Sequence, residues 1–172
     1  MVLIFWKIKS EDYLYKNLKL IINSNQQAII NYIFYELIAY IIIQKKLKIL
    51  LVEDNLLNQK VVSFHLRKFD YDVVCVGIWR DAMEEFKNNP PDLILMDIML
   101  PEKNGFEITA DIRKYEMERG VKEGVPIIAL TANTLDNDKD KCLQAGMNDY
   151  LPKPFSPEEL YTVIEQFTTS SK

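Results

Sequence analysis

After Lys46 the chain alternates short apolar runs with stretches of helical periodicity, and this alternation limits the possible folds most severely. Residues 48–52, 72–76, 93–96 and 127–130 are short runs that are almost wholly apolar, and 149–152 forms a briefer fifth. Such runs fit strands buried on both faces. Between them, residues 56–69, 80–87, 105–118, 135–145 and 156–167 place apolar side chains at helical spacing. In the first of these the stripe is Leu57, Val61, Val62, Leu66 and Phe69. The last carries its own start signal, since Ser156 can cap, Pro157 suits the first helical position and Glu159 completes a capping box. Strands and helices in this alternation predict an α/β domain, a doubly wound parallel sheet covered on both faces. Ligands of such folds bind at the carboxyl ends of the strands.

Punctuation supports this organisation and marks off a different N-terminal segment. All five glycines and all seven prolines lie after Val76, at plausible turns such as Asn89-Pro90-Pro91, Asn104-Gly105 and Ala145-Gly146. Residues 1–46 contain neither, and are rich in Ile, Asn, Tyr and Lys. They are expected to form a separate, mainly helical extension of unknown role, with the main domain at 47–172. The apolar stretch 28–43 is interrupted by Asn31 and Glu36. It is short against the roughly 20 residues a bilayer span needs. Packing on the domain or on another copy is the leading expectation. A membrane anchor, with Lys45 and Lys46 holding its C-terminal side in the cytoplasm, and a loosely ordered tail are the alternatives. Residues 1–6 lack the basic start and cleavage site of a signal peptide.

Several function classes drop out on composition. The formal charge of −4 offers no basic surface for nucleic acid. Cys75 and Cys142 form no Cys-x-x-Cys pair, and both are expected to be buried, reduced thiols of a cytoplasmic protein. His65 is the one histidine, so a histidine-ligated zinc site or a Ser-His-Asp arrangement has almost no material. It is expected to be a partly exposed helix residue.

The remaining polar residues have a common address. Glu53 and Asp54 follow the first strand, Asp97 ends the third, Thr131 ends the fourth and Lys153 follows the fifth. All five should meet at one edge of the sheet. Alone, each is commonplace: an acidic turn, a helix cap, a Thr bonded to backbone, a surface Lys. Together, three carboxylates call for a hard cation, and magnesium suits a site with few protein ligands. A lysine suits a phosphate as a point charge, and Thr131 can donate to a phosphoryl oxygen. One carboxylate is left as a nucleophile able to form an acyl phosphate.

These residues sit in segments that resemble the receiver domain of two-component response regulators, in a style close to the receivers of hybrid sensor histidine kinases. The resemblance is carried by Ile49-Leu50-Leu51-Val52-Glu53-Asp54-Asn55 with Asn58 and Val61, and by Asp92-Leu93-Ile94-Leu95-Met96-Asp97-Ile98-Met99-Leu100-Pro101 with Asn104-Gly105. It continues in Pro126-Ile127-Ile128-Ala129-Leu130-Thr131-Ala132-Asn133 and in Gly146-Met147-Asn148-Asp149-Tyr150-Leu151-Pro152-Lys153-Pro154-Phe155. It implies a flavodoxin-like (βα)5 fold with strand order 2-1-3-4-5. It implies Asp97 as phospho-acceptor, and Mg2+ held directly by Asp54, through water by Glu53, and by Asp97 and the backbone carbonyl of Met99. Thr131 and Lys153 would bind phosphoryl oxygens. Tyr150 would be the aromatic switch, the Lys153-Pro154 bond would be cis, and the region from the fourth helix to the last would form the switch surface.

Three departures stand out. Leu100 replaces a common Met, Asp70 replaces the Gly that often ends the first helix, and Gly77-Ile78-Trp79-Arg80 replaces a small polar turn. The Ile-Trp pair is expected to be partly buried, with a partner contact as the alternative.

The implied role is phosphorelay signalling. A histidine kinase or histidine phosphotransfer protein would donate, and a downstream partner would read the change. No output domain is expected beyond the last helix. A phosphorylation-independent interaction module is one alternative. A magnesium-dependent aspartyl-phosphate phosphatase is another, opposed by Met99 at the position where such enzymes carry a second Asp. The domain is therefore expected to hydrolyse its own phosphoryl group only slowly.

Overall fold

The computed structural model describes residues 26–44, 46–132 and 136–168. The chain divides at Lys46 into two units.

The first unit contains helix α1, Gln26–Gln44. Ile30, Ile33, Phe34, Tyr35, Leu37 and Ile38 on it are all exposed. Among the described residues no helix is long and apolar enough to cross a membrane.

The second unit runs β1 (Lys48–Val52), α2 (Leu56–Lys68), β2 (Asp72–Val76), α3 (Trp79–Asn88), β3 (Leu93–Asp97), α4 (Gly105–Glu118), β4 (Ile127–Thr131), α5 (Asp136–Gln144), β5 (Asp149–Pro152) and α6 (Pro157–Thr168). The strands form one parallel sheet in the order β2-β1-β3-β4-β5. This is the doubly wound parallel sheet expected from the alternation, in the flavodoxin-like order that the resemblance implies. The start of the helix expected at 135–145 lies partly outside the described residues.

Side chains of β1 alternate between two cores, as the period of a strand requires. Ile49 and Leu51 join α2 (Val62, Leu66) and α6 (Leu160, Val163, Ile164) on one face. Leu50 and Val52 join α3 (Ala82, Met83, Phe86), α4 (Ile108, Ile112) and Cys142 of α5 on the other. Fully burying one such aliphatic side chain contributes about 1.5–3 kcal/mol, so the sheet is held from both sides. The direction in which strands are added to the sheet reverses between β1 and β3, and this opens a crevice at their carboxyl ends.

Local signals work largely as written. The Asn55 side chain caps α2 by accepting from the amides of Leu57 (2.9 Å) and Asn58 (3.1 Å). Asn104 and Glu107 form a capping box on α4, and Ser156 and Glu159 form another on α6. Asp70 takes the left-handed conformation (φ 66°) that its place after α2 demands.

Two expectations are corrected. Leu57 and Val61 do not face the core: they are exposed, and α2 turns Val62, Ser63 and Leu66 inward. Cys142 is buried, but Cys75 is only half-buried, because β2 is an edge strand paired with β1 alone.

Candidate functional site

The carboxyl ends of β1, β3 and β5 bring Glu53, Asp97 and Lys153 together. Lys153 Nζ donates to Glu53 Oε2 at 2.6 Å and to Asp97 Oδ2 at 2.8 Å. Asp54 completes the group. One carboxylate oxygen from each of Glu53, Asp54 and Asp97 lies within 4.8 Å of the others. Glu53 and Asp97 are buried, while Asp54 is exposed.

Each carboxylate is fixed by its local backbone. Glu53 Oε1 accepts from Asn58 Nδ2 at 3.0 Å and from the Asn55 amide at 3.3 Å, so the first turn of α2 aims it. Asp97 Oδ1 accepts from the Met99 amide at 3.1 Å. Behind Asp97, α4 must begin with glycine: a Cβ on Gly105 would fall 2.3 Å from the Asp97 carbonyl oxygen.

Charge is distributed unevenly. Burial pushes Glu53 up, but the Lys153 ammonium and the Asn58 amide outweigh it and hold Glu53 below the usual carboxylate range. Burial wins at Asp97 and raises it, against the opposing pull of Lys153 and the Met99 amide. Lys153 resists its own burial because two carboxylates face it, and it is raised. Asp97 is thus the more basic of the two carboxylates that share the ammonium.

Three carboxylates against one ammonium leave excess negative charge, and every donor in the cluster is oxygen. That donor set fits a hard divalent cation that retains waters. Glu53, Asp54 and Asp97 are the residues that could hold it.

Thr131 is buried at the end of β4, and its carbonyl accepts from the Lys153 amide at 2.6 Å. This joins the β4 end to the lysine. The Lys153-Pro154 bond is cis, as expected. Tyr150 pairs in register with Ala129, two residues before Thr131, and packs half-buried against the second core. Met99 presents an exposed side chain. His65 is half-buried on α2.

Two features escaped the sequence reading. Asn58 was seen only as part of a motif, whereas it holds Glu53 directly; its place one helical turn into α2 was the available signal. Trp79 donates from Nε1 to Glu102 Oε2 at 3.2 Å, a tie that no spacing pattern announces.

Comparison with known proteins agrees with this geometry. Residues 49–165 match the response regulator receiver domain family. Hybrid signal transduction histidine kinase I of Dictyostelium discoideum is 40% identical over 122 residues, covering 68% of this chain and 7% of that protein. Histidine kinase 3 of Arabidopsis thaliana is 36% identical over 142 residues, covering 72% of this chain and 14% of that protein. The chain therefore spans only a small part of the length of these relatives. Among solved structures, the receiver domain of sensor histidine kinase PA1611 from Pseudomonas aeruginosa carries a magnesium ion in its active-site cleft. It is 45% identical, with a TM-score of 0.63, over 72% of this chain and 98% of that one. The receiver domain of Ssk1 from Saccharomyces cerevisiae, crystallised with the histidine phosphotransfer protein Ypd1, is 34% identical, with a TM-score of 0.68, over 72% of this chain and 90% of that one. With five parallel strands in the receiver order and the acidic cluster at their carboxyl edge, this chain belongs to the response regulator receiver domain family.

Proposed function

We propose that residues 47–172 act in a phosphorelay, taking a phosphoryl group from a phosphohistidine onto Asp97, and that residues 1–46 are a separate extension. The observation that carries this reading is the Lys153 bridge between Asp97 and Glu53 beside Asp54. It puts Asp97, the Glu53–Asp54 pair and the Lys153 ammonium at one sheet edge, which supports the roles of nucleophile, cation ligands and phosphate contact.

In the proposed step an Asp97 carboxylate oxygen attacks phosphorus in line with the phosphohistidine P–N bond. The P–O bond forms as the P–N bond breaks, and the electron pair leaves on the imidazole. The transition state is loose, so catalysis is positioning and charge neutralisation. Magnesium, held by Asp54, Glu53, Asp97 and the Met99 carbonyl, would neutralise phosphoryl oxygens. Asn58 and the Asn55 amide keep Glu53 aimed, and the Met99 amide orients Asp97. Lys153 can pass from the Asp97 carboxylate to a phosphoryl oxygen, and the Thr131 hydroxyl donates to another. Tyr150, two register positions behind Thr131, then shifts its packing. The output is a population shift across α5, β5 and α6 that a partner reads. Met99 stands two residues beyond Asp97, where a hydrolase would need an acid, so the phosphoryl group leaves slowly. The setting is cytoplasmic.

The donor surface we propose is α2. Leu56, Leu57, Val61 and Phe64 on it are exposed, and the helix begins beside the acidic pair. A phosphorylated histidine phosphotransfer protein, mixed with this chain and magnesium, should pass label to the wild type and none to Asp97→Ala. Phe64→Ser should slow that transfer while leaving labelling by a small acyl phosphate unchanged. Labelling by acyl phosphate without transfer from any phosphohistidine protein would overturn the relay reading.

A further inference from the structure

The Gly77-Ile78-Trp79 turn, where the sequence leaves the family pattern, touches the two loops that flank the acidic site. On one side the Val76 carbonyl accepts from the Glu53 amide at 3.0 Å. Gly77 packs against the same loop, for a Cβ there would lie 3.7 Å from the Asp54 Cα and the Glu53 carbonyl oxygen. On the other side Trp79 Nε1 donates to Glu102 Oε2 at 3.2 Å. Arg80 pairs with that same oxygen at 3.3 Å. The Lys103 ammonium lies 5.1 Å from the Trp79 ring centre and also pairs with Asp111 of α4.

Glu102 and Lys103 form the crest of the β3–α4 loop, which also contains Met99. Glu102 holds a left-handed backbone (φ 64°), a conformation that non-glycine residues keep where their surroundings fix it. The Arg80–Glu102 pair is exposed on both sides and contributes little to that fixing. Trp79 is half-buried and its ring packs against the second core, so of the two partners of Glu102 it is the one held in place, although the hydrogen bond itself is exposed.

We propose that Trp79 is a positioning residue for the metal site. The turn that carries it braces the Met99 loop against the Glu53–Asp54 loop, and so sets the spacing of the groups that hold magnesium. This rests on the metal reading given above.

The two tryptophans of the chain are Trp6 and Trp79, so Trp6→Phe leaves Trp79 as the sole indole reporter. Magnesium chloride is titrated into that parent, followed by Trp79 emission and by calorimetry. The parent's emission should change along the same isotherm as the heat. Trp79→Phe and Glu102→Ala should each weaken magnesium binding by about three- to tenfold in calorimetry, the range one net hydrogen bond supplies. Glu102→Gln, whose amide oxygen still accepts from the indole, should recover most of the loss. Urea midpoints of the Glu102 variants should match the parent, because Glu102 is exposed. Magnesium binding within about twofold of the parent in Glu102→Ala and Trp79→Phe would overturn the brace. So would equal losses in Glu102→Gln and Glu102→Ala. A parent that binds no magnesium would instead overturn the metal reading itself.

Discussion

Lys153 Nζ stands 2.6 Å from Glu53 and 2.8 Å from Asp97, so one ammonium joins two buried carboxylates carried by different strands. Lys153→Met removes the cation and leaves both carboxylates facing each other beside Asp54. Removing one partner of a fully buried pair costs about 3–5 kcal/mol. Lys153 still touches solvent, so a loss of about 2–3 kcal/mol is expected in magnesium-free urea unfolding. Millimolar magnesium should restore much of that loss, by compensating the same charge. No destabilisation, or none that magnesium relieves, would contradict the electrostatic account of the cluster.

Gly105 is constrained by space rather than by backbone angle. Its absent Cβ would sit 2.3 Å from the Asp97 carbonyl oxygen and 3.0 Å from Met96 Cγ. Gly105→Ala must push α4 or β3 aside, at a cost of about 1–3 kcal/mol. Because the clash falls on the Asp97 carbonyl itself, either shift disturbs the acceptor, and labelling by a small acyl phosphate should fall more than tenfold even at temperatures where the variant remains folded. Circular dichroism and intact-mass labelling on the same sample separate the two effects.

The fold was legible because two periodicities alternate, and the site because the ends of parallel strands converge. Glu53, Asp97 and Lys153 could be placed together without coordinates, since each directly ends or follows a strand of one parallel sheet. Helix phase was harder. Leu57 and Val61 fit an apolar stripe as well as Val62 and Leu66 do, and only packing against β1 and β2 decides which pair turns inward. The half-buried state of Cys75 depends on β2 being an edge, which is a property of strand order and not of its own residues. The Trp79–Glu102 tie joins the first residue of α3 to the β3–α4 loop, and no local pattern predicts a contact of that kind.

Tyr71 and Glu165 give the protein an alkaline limit. The Tyr71 hydroxyl donates to Glu165 Oε1 at 2.9 Å from a buried ring. Burial first, and the Glu165 carboxylate second, push the phenol far above its ordinary range. A raised folded-state pKa means this contribution is fully present below about pH 10, the unfolded value, and is lost as pH rises beyond it. Stability measured by urea should therefore decline steeply above about pH 10. Tyr71→Phe should flatten that decline while costing about 0.5–1.5 kcal/mol at neutral pH. An unchanged alkaline slope in Tyr71→Phe would contradict this assignment and leave the limit to other raised groups, among them Tyr161 and Lys153.

The most direct test of the central claim is chemical mapping of the phosphoryl group. The protein is incubated with magnesium and a small acyl phosphate, reduced with borohydride, and digested for mass spectrometry. An acid-stable, base-labile adduct that depends on magnesium and reduces to homoserine at position 97 is the predicted result. Asp97→Asn should show none. An adduct of equal yield on Asp97→Asn, or reduction at another carboxylate, would contradict the assignment of Asp97 as the acceptor.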